Sequence, residues 1–168
     1  MKEEDHQAAP SRRSDMLGVI VRVGLIAGTL DIADSLIFNA FPGITPGMIF
    51  QYIASGLVGL RAFHWGSASV ALGVVIHYFI ALTWTAVFYL ASRRFAILSR
   101  RPVISGLLYG VAVYLFMNLV ALPLSGVPRP VKAVTLASRI NGVLALMICI
   151  GLTVSMLLRR AIVRTHPS

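Results

Sequence analysis

At 168 residues, 57% of them hydrophobic and only 12% charged, with a mean hydropathy of +0.82, the chain is too apolar for an ordinary water-soluble domain. It is also too short to leave a second domain beside a few membrane spans of about 20 residues each. A formal charge of +9 would suit nucleic acid in a soluble protein, but here the basic residues come as Arg pairs beside apolar runs. That is the pattern of segments flanking a membrane near anionic lipid, so the expected partner is lipid and not nucleic acid.

Residues 1–15 are polar, with Pro10 and the pair Arg12-Arg13, and are expected to form a flexible cytoplasmic tail. The run from Met16 to Phe38 is long enough to span a bilayer, and Phe41-Pro42-Gly43 ends it by turn chemistry. It lacks an A-x-A-like cleavage site, so it reads as a retained helix and not a signal peptide. Arg22 stands nine residues before Asp31, on the opposite face at about 100° per residue, and is expected to snorkel to lipid headgroups.

Thr45-Pro46 is a helix start, an N-cap followed by Pro at the first helical position. The apolar run that follows, 46–60, is short and holds Gln51, Ser55, Gly56 and Gly59, which predicts a re-entrant or interfacial helix in place of a span. Three further spans are predicted at 69–91, 103–122 and 136–158, followed by a cytoplasmic tail at 161–168. The expected fold is therefore all-α: a polytopic four-transmembrane-helix bundle over 16–160, with one short helix between spans 1 and 2.

Orientation follows from the basic residues. Lys2, Arg12, Arg13, Arg22, Arg93, Arg94, Arg100, Arg101, Arg159, Arg160 and Arg164 fall on one side, against Arg61, Arg129, Lys132 and Arg139 on the other. The excess predicts both termini in the cytoplasm of a cell whose inner (plasma) membrane holds the protein. A crossing at 46–60 would split the later Arg pairs between sides, a second reason to read that helix as not spanning.

Each span carries polar residues that a lipid-facing helix does not need: Asp31 and Asp34 in the first, His77 in the second, Asn118 in the third, Arg139 and Asn141 in the fourth. A charge at bilayer depth costs roughly 2.5–3.5 kcal/mol on insertion scales, so such groups face a protein interior or a watery cavity. At ~1.5 Å rise per residue all six fall in the outer half of the bilayer, although the helices alternate in direction. Their faces agree as well. Gly24, Ala27, Gly28, Asp31 and Ser35 share one side of the first helix, with Asp34 at its edge. Gly73, His77 and Ala81 align on the second, and Ser138, Gly142, Ala145 and Cys149 on the fourth. Small residues let helices approach closely in lipid, so Gly24/Gly28, Ser69/Gly73, Gly106/Gly110 and Ser138/Gly142 mark expected contact faces. Arg139 is expected to offset one of the two acids, with Asn118 and Asn141 supplying hydrogen bonds.

Other chemistry finds little support. Cys149 has no intrachain partner and reads as a small packing residue. His64 and His77 lie in different segments, with no C-x-x-C-H or H-E-x-x-H, so no metal or cofactor is expected. G-x-S-x-G, P-loop and G-x-G-x-x-G motifs are absent, so no motif supports catalysis. Trp84, Tyr89, Tyr109 and Tyr114 read as interface anchors and bundle packing.

The segments AGTLDIADSLIF, QYIASGLVG, ALGVVIHYFIAL with its trailing ASRR, and RRPVISGLLYGVAVYLFMNLVALPLS together resemble a family of small bacterial integral membrane proteins with four predicted spans and no assigned activity. The resemblance covers Gly28 to Ser125. It implies the topology and nothing about function.

Three readings of function follow. One is a non-enzymatic bundle that acts by self-association or with a membrane partner. Another is an oligomeric transporter or proton- or ion-coupled channel component using the Asp/His/Arg/Asn cluster. The last is a membrane redox or lipid-handling enzyme subunit.

Overall fold

A computed structural model describes residues 12–128 and 134–165, and among them the chain is all-helical with no strand. Helix α1 runs from Arg12 to Ala40, α2 from Pro46 to Val58 with a 3₁₀ turn at Gly59–Phe63, α3 from Ser67 to Arg94, and the short α4 from Ala96 to Arg100. Helix α5 (Pro102–Phe116) passes through a π-helical stretch, Met117–Ala121, into α6 (Leu122–Leu124). Helix α7 (Leu136–Ala145) continues through a second π stretch, Leu146–Leu152, into α8 (Thr153–Thr165). Four of these units are long and apolar enough to cross a membrane: Met16–Ala40, Ser67–Arg94, Pro102–Leu124 and Leu136–Ile162, here called spans 1 to 4. The chain is a multi-pass membrane protein built as a helical bundle.

The ends of the helices follow local chemistry. The turn at Phe41-Pro42-Gly43 stops α1, with Gly43 at φ 80° and backbone bonds returning to Ala40 and Asn39. Thr45 caps α2 by accepting from the Met48 amide, and Pro46 occupies its first turn, as the sequence predicts. Helical hydrogen bonding outlasts the apolar runs at both ends of the chain: α1 already includes Arg12, inside the segment read as tail, and α8 continues to Thr165. Arg129 and Lys132, two of the four basic residues assigned to the far side, lie outside the described residues, as do residues 1–11 and 166–168.

The bundle consists of two pairs. Spans 1 and 2 meet through Gly24 and Gly28. A Cβ on Gly24 would stand 3.2 Å from the Thr85 hydroxyl, and one on Gly28 would stand 2.9 Å from the Ala81 Cβ. The buried stripe of α3 (Ser69, Gly73, His77, Ala81, Thr85, Phe88 and Ser92) keeps one face over the whole helix. Spans 3 and 4 meet backbone to backbone, since a Cβ on Gly106 would stand 2.7 Å from the Gly151 carbonyl oxygen. Spans 2 and 3 are wedged apart by aromatic rings instead. Tyr109 donates its hydroxyl to the Trp84 carbonyl at 2.6 Å and sits edge-on to Phe88, while Trp84 meets Phe116.

One contact face differs from expectation. The stripe Ser138, Gly142, Ala145, Cys149 assumes regular α-helix, but the π stretch at Leu146–Leu152 inserts one residue into the repeat. Ala145 is followed on the buried face by Ile150, five positions on, and then by Gly151, Val154, Ser155 and Leu158, while Cys149 moves to a half-buried flank. The shift brings Gly151 onto Gly106 and Gly110. The carbonyl of Ile148 receives the Thr153 hydroxyl at 3.1 Å. In span 3 the other π stretch precedes Pro123, which has no N–H and whose ring would strike the Leu119 carbonyl in a regular helix. The helix thereby runs past that proline to Leu124, two residues beyond the predicted end.

At the end that carries the Arg pairs spans 1, 2 and 4 close on a core of Val23, Ala27, Phe88, Ile150, Val154 and Leu158, with Tyr109 of span 3 packed against it. At the other end they part.

Candidate functional site

The parting of the spans leaves a cavity of about 550 Å³, a volume typical of small-molecule sites. All six polar residues singled out from the sequence line it: Asp31, Asp34, His77, Asn118, Arg139 and Asn141. Spans of alternating direction do bring them to one level, and two of the six donate long-range hydrogen bonds that tie that level together.

The first bond joins spans 1 and 2. His77, buried on α3, bonds through Nε2 to the Gly28 carbonyl oxygen at 2.8 Å. A carbonyl can only accept, so Nε2 carries a proton and donates it. Gly28 is the residue whose missing side chain lets α3 approach, so the close contact also allows this bond to form.

The second joins spans 1 and 4. Asn141 donates from Nδ2 to Oδ2 of Asp34 at 2.9 Å, across 107 positions of sequence. The expected Arg139 pairing is not what holds this acid. Among the described residues no ion pair joins Arg139 to Asp31 or Asp34; Arg139 sits exposed on the cavity wall, three residues into α7. The reason is geometric, since Asn141 stands two positions further along the helix and its short amide reaches the carboxylate directly. Asn118 likewise spends its amide nitrogen on the Tyr114 carbonyl of its own helix, at 2.9 Å.

Asp31 differs from its neighbour. It lines the cavity on the small-residue stripe of α1 and has no hydrogen bond or ion pair among the described residues. His77 and Asp34 line the same cavity. A carboxylate at this depth without a partner is costly, and a ligand that brings a positive charge would relieve it.

The short helix belongs to the site, which the sequence reading did not anticipate. Helix α2 crosses the part of α3 that carries Gly73, where a Cβ would collide with the Phe50 backbone. It presents Tyr52, Ile53 and Gly56 to the cavity. Its far end is held by the segment after span 3: the Gly126 amide donates to the Gly56 carbonyl at 2.9 Å, and Gly59, at φ 63°, turns the chain away there. Burial pushes the Tyr52 phenol above its usual range, so it stays a neutral donor at physiological pH. The readable signal was the run of small residues Ser55, Gly56 and Gly59 in a segment too short to span.

Two aromatic residues first read as packing, Trp84 and Tyr114, also line the cavity. Tyr109 and Tyr89 pack against the core as expected. The lining thus joins two carboxylates, one of them unpartnered, with His77, Arg139, amide groups, aromatic rings and many aliphatic side chains. Among the described residues no group of three or more His, Cys, Asp or Glu stands together as a metal site. The chain matches no protein-family model, no curated protein and no solved structure.

Proposed function

We propose that this protein binds a small amphiphilic cation in its outer-half cavity and acts as a solute-handling component of the membrane, non-enzymatic and, at four spans, part of an oligomer. The observation that carries this reading is Asp31, a carboxylate on the wall of a cavity of about 550 Å³ with no partner of its own among the described residues. Charge accounting supports it. Asp34 accepts a hydrogen bond from Asn141, which brings no charge, the Nε2 proton of His77 is committed to Gly28, and Arg139 is exposed and in no ion pair with either acid, so no arginine offsets the carboxylates of the cavity. The rings of Tyr52, Trp84 and Tyr114 suit the same ligand, because the face of an aromatic ring attracts a cation. The aliphatic remainder of the lining suits an apolar body, which sets the class apart from a bare metal ion.

Tetraphenylphosphonium is the probe, titrated calorimetrically into the full chain in detergent at fixed ionic strength. Saturable binding is expected, with at least a tenfold loss in Asp31→Asn and little change in Arg22→Gln, whose side chain lies on the exposed face of α1. Absence of saturable binding, or equal binding in Asp31→Asn, overturns the reading.

A further inference from the structure

The opposite end of the bundle carries a second feature. Arg93 and Arg94 close α3, Arg100 and Arg101 close α4, and Arg159 and Arg160 lie in α8; all six are exposed. The fold gathers them. Leu98 of α4 packs against the core cluster that includes Leu158, and Ser155 donates its hydroxyl to the Pro102 carbonyl at 2.8 Å. That bond ties the start of α5, directly after Arg101, to α8 one turn before Arg159. Three separate Arg pairs in the sequence therefore form one patch around the α4 corner.

Among the residues whose side chains are described, nothing neutralises it. None of the six is in an ion pair there, and Arg93 lies over the Tyr89 ring, 6.0 Å from its centroid. Both carboxylates of known placement, Asp31 and Asp34, belong to the cavity at the other end. The patch is bordered by exposed apolar side chains, Leu90, Phe95 and Ile97. Guanidinium groups bind phosphate oxygens in forked geometry, and the adjoining apolar surface suits acyl chains, which a free phosphate lacks.

We infer that the α4 corner is a binding site for an anionic phospholipid, its phosphate held by Arg100, Arg101 and Arg159 and its acyl chains laid along Phe95 and Ile97. The site is independent of the cavity and of its ligand.

Native mass spectrometry of the full chain, released from detergent in the presence of phosphatidylglycerol or phosphatidylcholine with identical acyl chains, tests this. Discrete phosphatidylglycerol adducts are expected to survive where phosphatidylcholine adducts do not. At about fivefold per arginine, the R100Q/R101Q/R159Q variant is expected to lose on the order of a hundredfold in affinity. R61Q, at the opposite end, is expected to bind as the parent does, and excess inorganic phosphate is expected not to displace the lipid. Equal retention of both lipids, an unchanged triple variant, or full displacement by phosphate each overturns the proposal. So does lipid binding that appears only in E3Q/E4Q/D5N, which would assign the patch to the acidic N-terminal residues. If the triple variant fails to fold, R101Q and R159Q singly serve as the readout, each expected to lose about fivefold.

Discussion

The two ends of this bundle are built from the same four helices and behave oppositely. At the Arg-bearing end, glycine, alanine and β-branched residues on the facing stripes let the backbones close, and the core of Val23, Ala27, Phe88, Ile150, Val154 and Leu158 fills what remains. At the other end the same stripes carry Asp31, Asp34, His77 and Asn141, the helices separate, and a cavity opens. Lipid offers no hydrophobic incentive for helices to associate, so packing and hydrogen bonds decide where they touch. Small side chains therefore close one end, and polar side chains bridge the other through two specific bonds without filling it.

The largest expected effect comes from overfilling the closed end. Gly106→Leu places its first side-chain carbon 2.7 Å from the Gly151 carbonyl oxygen, against backbone that cannot swing aside. A loss of about 3 kcal/mol or more, seen as failure to purify as a monodisperse species or a collapse of the melting temperature, is expected. Normal melting would mean that spans 3 and 4 do not meet there.

The register of the fourth span is tested by two neighbours. Ile150→Ala hollows the closed core, and because the unfolded helix stays in lipid, only the packing part of the usual cost applies, about 1–2 kcal/mol. Cys149→Ala, on the half-buried flank, is expected to cost less than about 0.5 kcal/mol. The reverse ranking would mean that the helix is regular and the π stretch absent.

A smaller effect belongs to the open end. The double-mutant cycle of Asp34→Leu and Asn141→Leu is expected to give a coupling of about 0.6 kcal/mol, the average for interhelical hydrogen bonds in membranes. Asp34→Asn keeps an acceptor and is expected to melt close to the parent. Zero coupling would remove the bond that joins spans 1 and 4 at the cavity. Smallest of all on stability is Asp31→Asn, which has no partner to lose and sheds a costly charge, so its melting temperature is expected to hold or rise while the probe ceases to bind. A large destabilisation would make Asp31 a structural group and erase the contrast between the two ends.

Much of this was legible before any coordinates. The six cavity residues were identified by depth and face, because a charged or amide side chain in an apolar run is rare enough to carry information singly. The stripes on α1 and α3 followed for the same reason, since helical periodicity needs only a regular helix. The stripe on span 4 failed where that regularity failed: no residue between Leu146 and Leu152 announces a π turn as a proline announces a kink. Charge counting favours Arg139 as the partner of one acid, but reach decides for Asn141, whose expected hydrogen bond goes to Asp34 while Arg139 pairs with neither acid among the described residues. The role of α2 escaped notice because a segment that does not span was treated as peripheral.

What the sequence determined by itself is the class and the inventory: an all-helical membrane chain, four spans, their polar residues at one level, and arginines gathered toward one side. These follow from composition and one-dimensional periodicity, which the bilayer makes unusually decisive by forcing backbone hydrogen bonds to close within each helix. The tertiary structure alone decided which acid is partnered and which is free, that α2 walls the cavity, and that three Arg pairs share one corner. Each of those depends on distances between segments remote in sequence, and a shift of one residue in a single helix is enough to change them.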